Sequence, residues 1–364
     1  MYTTRMARLR ERMAKTGTDL VVIGPTSSMV WLTGLSPHGD ERPVMLMVSQ
    51  NFAGFLIPAL NTDSARQQTE LPFFAWTDEQ GPNIALAALL AALCLENAPL
   101  HIAIDETMRA DFALLVLDSL PGAQRSYLND TIGYLRACKD ESEYKSLKVN
   151  ALINDGAMRA GFAALKPGVS EQDIADIIRS YYKAHGAVAE FTSICFGENG
   201  AFPHHHTGNR RLAAGDAVLI DIGGRCDGYP SDMTRVAFCG RPSDEFCKVH
   251  AVLERAVEAA IAVAKPGVCA REVDQAARQI ITQAGYGAFF LHRTGHGLGI
   301  DLHEPPYITA TSTTMLEEGH VFSIEPGIYL AGQFGIRLEE IVIIRGGQAE
   351  ILSELSRNII EVPA

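Results

Sequence analysis

The sequence predicts an α/β domain at the N-terminus followed by an α+β domain that contains one structural unit twice. Three observations predict it. Strand-like and helical segments alternate up to residue 106, a polar and charged stretch interrupts them from residue 129, and beyond it a segment of the chain recurs at a constant offset of 99.

The first element is helical, because Met6, Leu9 and Met13 recur at helical spacing within MYTTRMARLRERMAKTG. Apolar runs then read as strands: DLVVIG (19–24), PVMLMVSQ (43–50), GFLIPAL (54–60) and HIAIDE (101–106). Between them IALAALLAALCL (84–95) reads as a buried helix, too short to cross a bilayer. Interleaved strands and helices imply an α/β domain. The polar run NDTIGYLRACKDESEYKSL sets a boundary, giving domains 1–137 and 138–364.

In the second domain LKPGVSEQDIADIIRSYYKAHG (165–186) is echoed by AKPGVCAREVDQAARQIITQAG (264–285). Lys166, Pro167, Gly168, Val169, Arg179 and Gly186 match Lys265, Pro266, Gly267, Val268, Arg278 and Gly285. Each copy reads as a helix, a Pro-Gly break, a second helix and a glycine stop. Two readings fit: convergence on the same helix punctuation, or a duplicated unit with a pseudo-twofold axis and a site on a sheet shared by the halves.

Composition narrows the function. Hydrophobic residues at 47% and charged residues at 20% describe a folded chain rather than a disordered one. The net charge of −12, with no stripe of Lys and Arg, argues against a nucleic-acid partner. Seven scattered cysteines with no CxxC pair suit a reducing compartment. The basic start lacks the apolar stretch of a secretion signal. It therefore reads as an ordinary helix, with an organelle-targeting peptide as the alternative; the cytoplasm is the expected location, with no membrane partner.

The chemistry sits on acids placed inside apolar strands. DAVLIDIGGRCDGYPSDMTRVAFC (216–239) has two strand-like runs around a turn, with Asp221 and Asp232 on opposite arms. A turn centred between Cys226 and Asp227 makes them face each other directly. HVFSIEPGIYLAGQFGIRLEEIVIIR (320–345) repeats the pattern, and a turn centred at Gly332 sets Glu325 opposite Glu339. Arg337 shares the face of Glu339 by strand alternation. Any one of these acids reads as a surface strand residue. Two opposed pairs inside apolar runs do not, since ionised carboxylates there need a counter-charge.

HRTGHGLGIDLHEPP (292–306) adds His296 and His303, each of which alone reads as a hydrogen-bonded core histidine. With the acids, one imidazole completes a ligand set for two divalent cations. Oxygen ligands with a single nitrogen favour Mn²⁺, with Co²⁺, Fe²⁺ and Zn²⁺ as competitors. In two-metal sites the ions lie roughly 3.5–4 Å apart, lower the pKa of a shared water and polarise a carbonyl, which suits amide hydrolysis.

These motifs resemble the creatinase/methionine aminopeptidase superfamily of M24 metallopeptidases, and within it the Xaa-Pro dipeptidases (prolidases) and aminopeptidases P. The resemblance covers residues 140–360 well. It implies a pita-bread catalytic domain with pseudo-twofold symmetry and a ligand set of Asp221 (LIDIG), Asp232 (SDMTR), His296 (TGHGLG), Glu325 (SIEPGIY) and Glu339 (GIRLEE). Asp232 and Glu339 would bridge the ions, Asp221 would chelate one, and His296 with Glu325 the other. The glycines beside His296 would let backbone approach the ions. His303 would contact the substrate or tetrahedral intermediate, as would a histidine in ENGAFPHHHTGN, placed at His204 with His205 and His206 as rivals. Arg337 would orient Glu339 or hold substrate; His292 keeps a structural reading. Glu340 departs from the family, where aspartate is common.

The resemblance implies hydrolysis of the bond before proline, with Glu325 as general base and His303 stabilising the oxyanion. Glu304 after His303, and the short chain, favour the dipeptidase over aminopeptidase P. A dipeptidase must bind a free carboxylate, a task for the N-terminal domain or a partner subunit; Arg42 in PHGDERP could serve, or belong to an ordinary polar loop. Creatinase-like chemistry on a small non-peptide amine and a non-catalytic binding protein are the rivals. A homodimer is implied by the family alone.

Overall fold

The computed structural model describes residues 2–97 and 99–364, in two compact units, Met1–Arg136 and Ala137–Ala364. In the first, strands β1 (Leu20–Ile23), β2 (Met45–Val48), β3 (Ala53–Pro58), β4 (Phe73–Trp76), β5 (His101–Ile104) and β6 (Gln124–Tyr127) form one sheet in the order β4-β3-β2-β1-β5-β6. β2 runs antiparallel to both β1 and β3, and the outer pairings are parallel. Every residue of β1, β2 and β3 is buried, as continuous apolar strands require when both faces are covered. The helices are α1 (Tyr2–Thr16), α2 (Ser27–Thr33), α3 (Thr62–Ala65), α4 (Asn83–Ala92) and α5 (Ala110–Ser119), with α6 (Ile132–Ala137) at the unit's end. The run expected to be a buried helix is half-buried: α4 buries Ala85, Leu86 and Leu89 and exposes Ile84.

The second unit is built from the repeat. α7 (Glu141–Ala164) and α8 (Glu171–Ala184) precede β7 (Val188–Phe196), β8 (Ala217–Cys226), β9 (Tyr229–Pro230) and β10 (Met233–Cys239). α9 (Asp244–Val263) and α10 (Ala270–Gln283) precede β11 (Gly295–Gly297), β12 (Glu304–Ile308), β13 (Val321–Ile324), β14 (Gly327–Leu330), β15 (Phe334–Arg337) and β16 (Glu340–Arg345); β17 (Gln348–Ile351) and β18 (Ile360–Val362) follow. The offset of 99 maps the C-terminal end of α7 onto that of α9 and both ends of α8 onto those of α10.

The duplication extends to hydrogen bonds. Gly168 N–H donates to the Leu212 carbonyl and Leu212 N–H to that of Val169, each at 2.8 Å; Gly267, Leu316 and Val268 repeat both bonds at 2.8 Å. Shared helix punctuation cannot produce matching return segments some forty residues downstream. α7 and α8 pack on one face of β7, β8 and β10, while the core around α9 and α10 takes Cys195, Leu219 and Val236 from these strands together with residues of β13 to β16.

The strands do not form one sheet shared by the halves. They make a five-stranded sheet (β18-β10-β8-β7, with β9 on β8), another five-stranded sheet (β12-β11-β13-β16-β17) and the β14–β15 ribbon. Proline after Glu325 supplies no N–H, and the ladder breaks there before resuming in the ribbon.

Gly168 (φ +86) and Gly267 (φ +81) sit in left-handed turns with no atom within 4 Å of an added Cβ. Their alanine variants therefore isolate backbone strain. Each should lose about 1–2 kcal/mol, read as a lower urea midpoint at unchanged slope; unaltered midpoints would show that the turns do not need glycine.

Candidate metal centre

A cavity of about 690 Å³ in the second unit is lined by all five ligand residues singled out in the sequence, together with His204, His303 and Arg337. Asp221 lies mid-way along β8, flanked by Ser193 of β7 and Thr234 of β10. Asp232 immediately precedes β10, and His296 is the middle residue of β11. Glu325 and Glu339 occupy the two breaks where β13 gives way to β14 and β15 to β16. Ligand atoms of Asp221, Asp232 and Glu339 lie within 4.8 Å of one another, as do those of His296, Glu325 and Glu339, so Glu339 belongs to both groups. Asp232, His296 and His303 form a third such group.

The backbone around His296 explains its glycines. A Cβ on Gly295 would lie 1.8 Å from the Ser323 carbonyl oxygen, and one on Gly297 would lie 2.4 Å from that of Glu304. The glycines admit the neighbouring strands, rather than ions as the sequence suggested. The His296 amide donates to Ser323 Oγ at 2.9 Å, and its ring Nδ1 lies 3.1 Å from the Gly297 carbonyl. A carbonyl only accepts, so Nδ1 carries the proton and Nε2 presents a lone pair. That lone pair faces Glu325 Oε1 at 3.3 Å and Asp232 Oδ2 at 3.6 Å.

The first hairpin is registered differently from the sequence reading. Asp221 pairs with Thr234, not Asp232, because the turn is centred on Asp227-Gly228 instead of between Cys226 and Asp227. Both turn residues have positive φ (49° and 82°), the conformation that a two-residue Asp-Gly hairpin demands. The resulting shift of two residues preserves facing, so the aspartates still share a face, diagonally. In the second hairpin, the registers Gly327↔Arg337 and Ile324↔Glu340 on either side of the break both set Glu325 level with Glu339.

Arg337 was expected to orient Glu339 or hold substrate; its Nη2 donates to Asp221 Oδ2 at 2.6 Å, and it reaches Glu339 through Thr234. Its Nε donates to Thr234 Oγ1 at 2.9 Å, and that hydroxyl lies 2.8 Å from Asp221 Oδ1 and 2.9 Å from Glu339 Oε2. Arg337 Nη1 donates to the Tyr329 hydroxyl at 2.9 Å. His292, kept neutral by burial that pushes it down to about 4, donates from Nδ1 to the Arg293 carbonyl and so accepts from Tyr329 at Nε2. Thr234, Tyr329 and Ser323 were missed in the sequence. Thr234 was findable, since it lies two residues past Asp232 on the same strand face.

Of the three adjacent histidines, His204 lines the cavity, whereas His205 turns its ring to Glu171 at 3.1 Å. Arg293, also unassigned in the sequence, lines the cavity and stacks on Tyr307, with no acidic partner among the described residues. Arg42 instead lies in an ion-pair cluster with Asp78, Asp40 and Glu41. Glu340 points out of the site, bonded to the guanidinium groups of Arg235 and Arg357.

The model of metallopeptidase family M24 matches residues 145–346, and that of the creatinase/prolidase N-terminal domain matches residues 5–138. The chain belongs to metallopeptidase family M24. It is 32% identical to a Xaa-Pro dipeptidase of Lactobacillus helveticus over 98% of both chains. Among solved structures, dipeptidase PepE from Mycobacterium ulcerans superposes with a TM-score of 0.93 at 32% identity, covering 100% of this chain and 98% of that one. A prolidase from Thermococcus sibiricus gives 0.90 at 33%, covering 100% and 99%.

M24 membership implies divalent metal ions, and the residues fit them. Burial pushes Asp232 and Glu339 well above the usual carboxylate range, reinforced for each by neighbouring acids; burial also raises Glu325 to about 7. Burial lowers His296 to about 3, so its Nε2 stays a lone-pair donor. Glu339 Oε1 is buried with no hydrogen-bond partner among the described residues. Crowded acids, a bare imidazole nitrogen and an orphaned oxygen together describe a cation site. Arg337 opposes the crowding: burial disfavours its charge, but Tyr329 and three acids outweigh that and hold it well above its ordinary value.

These shifts fix the pH response of the metal-free protein. Glu325 folded keeps a proton that the unfolded chain releases near 4.5. The associated stability is full below that value and is lost as pH rises through about 7. The melting temperature of chelated protein should therefore fall between pH 5 and 8, and the gap to Mn²⁺-loaded protein should widen. A gap independent of pH would contradict the raised carboxylates.

Proposed function

We propose that this chain hydrolyses the bond preceding proline in Xaa-Pro dipeptides, using two divalent ions, with Mn²⁺ the favoured metal. The observation that carries the reading is the convergence of four acids on the bare Nε2 of His296 in one cavity. Asp221, Asp232 and Glu339 would hold one ion, and His296, Glu325 and Glu339 the other, with Asp232 reaching both. Metal-binding of this kind supplies a lowered water pKa and a polarised carbonyl. Glu325, on the cavity wall 3.3 Å from His296 Nε2, would take the proton of the attacking water. His303 and His204, both on the cavity wall, would donate to the substrate carbonyl as charge develops on it. Arg337 and Thr234 act by fixing Asp221 and Glu339.

The Xaa-Pro dipeptidase and prolidase named above support the substrate class. Arg293 offers the terminal carboxylate of a dipeptide a cation on the cavity wall. Residues 1–137 would be the N-terminal domain and 138–364 the catalytic domain of a cytoplasmic homodimer; a monomeric mass in solution would refute the dimer.

Metal content measured alongside Ala-Pro hydrolysis, with and without chelator, tests the assignment. Asp232→Ala or Glu339→Gln should lose bound metal and turnover together, and a fully active Asp232→Ala protein would overturn it. Efficient cleavage of a tripeptide beginning Ala-Pro would replace the dipeptidase by an aminopeptidase P. Arg293→Ala should raise KM for Ala-Pro by about tenfold or more without altering the already weak use of Ala-Pro amide. Equal losses on both substrates would remove Arg293 from carboxylate binding.

A further inference from the structure

Glu171 lies outside the cavity, yet it is one of the most completely enclosed carboxylates in the second unit, with no exposed surface. It is the first residue of α8, held there by the Ser170–Asp173 capping box. Oε1 accepts from the Phe196 amide at 2.9 Å and Asn199 Nδ2 at 2.8 Å. Oε2 accepts from the Gly208 amide at 2.9 Å and lies 3.1 Å from His205 Nε2. The other three partners are all N–H donors, and a carboxylate oxygen accepts, so His205 Nε2 donates to it as well. Four donors fill the four acceptor sites, and none belongs to Lys or Arg.

Those donors come from the start, the middle and the end of the segment that leaves β7 and returns at Gly208. The same segment carries His204 into the cavity. His205 is gripped twice, since its carbonyl also accepts from Ser193 Oγ at 3.1 Å. The ring and carbonyl of His205 are thus both held, and its chain neighbour His204 lines the cavity.

The duplicated unit supplies a control. Position 171 corresponds to Ala270 in the second copy, and the backbone there is the same: Glu171 N–H donates to Arg210 as Ala270 N–H does to Thr314. The scaffold therefore does not require a carboxylate at this point. The second copy's return segment also carries cavity histidines, His296 and His303, but there the residue after His303 is Glu304, held by Lys139 at 2.6 Å instead. We propose that Glu171 and His205 are positioning residues that clasp the 196–208 segment and so set His204 for substrate. The effect on turnover rests on the function proposed above; the clasp itself does not.

The test uses the full-length Mn²⁺-loaded protein, with Ala-Pro kinetics and amide deuterium exchange across residues 202–208. His205→Ala should lower kcat by about tenfold, change KM little, and speed exchange across 202–208 with metal content retained. His205→Gln, which keeps an N–H donor, should restore both. In a His204→Ala background, His205→Ala should add no further loss, because its effect passes through His204. Unchanged exchange in His205→Ala, or losses that add in the double variant, would overturn the proposal. Should the unaltered protein fail to cleave Ala-Pro, the proposed function falls and the exchange result alone decides the clasp.

Discussion

The dominant constraint in the catalytic unit is the cost of holding acids out of water beside one another. Asp232 and Glu339 are nearly enclosed, and Glu325 and Asp221 reach the same space. Nothing about a hydrophobic core favours that arrangement, since each desolvated charge costs several kcal/mol unless it is compensated. Compensation from the protein is incomplete. Arg337 is the cation bonded to this group, and it is committed to Asp221. The surrounding architecture holds the remaining acids in position against their repulsion, leaving the compensation to a bound ion.

The duplicated scaffold does this by holding the segments that carry the ligands. In each copy a second helix sends a fully buried carboxylate to the segment entering the cavity. Glu171 of α8 holds residues 196–208, and Asp274 of α10 accepts from Thr294 N–H at 3.2 Å and Thr294 Oγ1 at 2.7 Å, two residues before His296. The two carboxylates are not equivalent positions, as Glu171 matches Ala270 and Asp274 matches Ala175 at the offset of 99. The helices and their turns are repeated, while the polar anchors are particular to each copy. A third anchor, the buried Lys139–Glu304 pair at 2.6 Å, ties the residue after His303 to the start of the unit.

Much of this was legible in the sequence because it is written in local signals. Pro-Gly breaks and the constant offset revealed the duplicated helices, and acids within VLIDIG and FSIEPG marked the site. The failures concern non-local geometry or weighing of local signals. The hairpin of Asp221 was centred one residue too early because the Asp227-Gly228 dipeptide was not given priority over symmetry between the acids. The glycines flanking His296 were assigned to ions because the strands that crowd them come from residues 304 and 323. Thr234 and Tyr329 carry no charge and no motif, so their role emerges when the strands are assembled. Glu171 belongs to no motif singled out in the sequence, because its burial is fixed by a segment more than twenty residues away.

Charge balance makes a further argument from the same residues. With Asp221, Asp232, Glu325 and Glu339 ionised and His296 neutral, four negative charges in the ligand group meet the one guanidinium bonded to them, Arg337, leaving three uncompensated within that group. One divalent ion still leaves a net negative site, which would repel an oxygen on which negative charge develops. Two divalent ions reverse the sign to a net of one positive charge, which favours that oxygen. Arg337 is thus not redundant with the metals. By neutralising Asp221, it lets a two-ion centre become electropositive, and removing its charge would return the loaded site to neutrality. The hydroxyl of Thr234, with one proton to share between Asp221 and Glu339, links the neutralised acid to the one whose second oxygen remains bare.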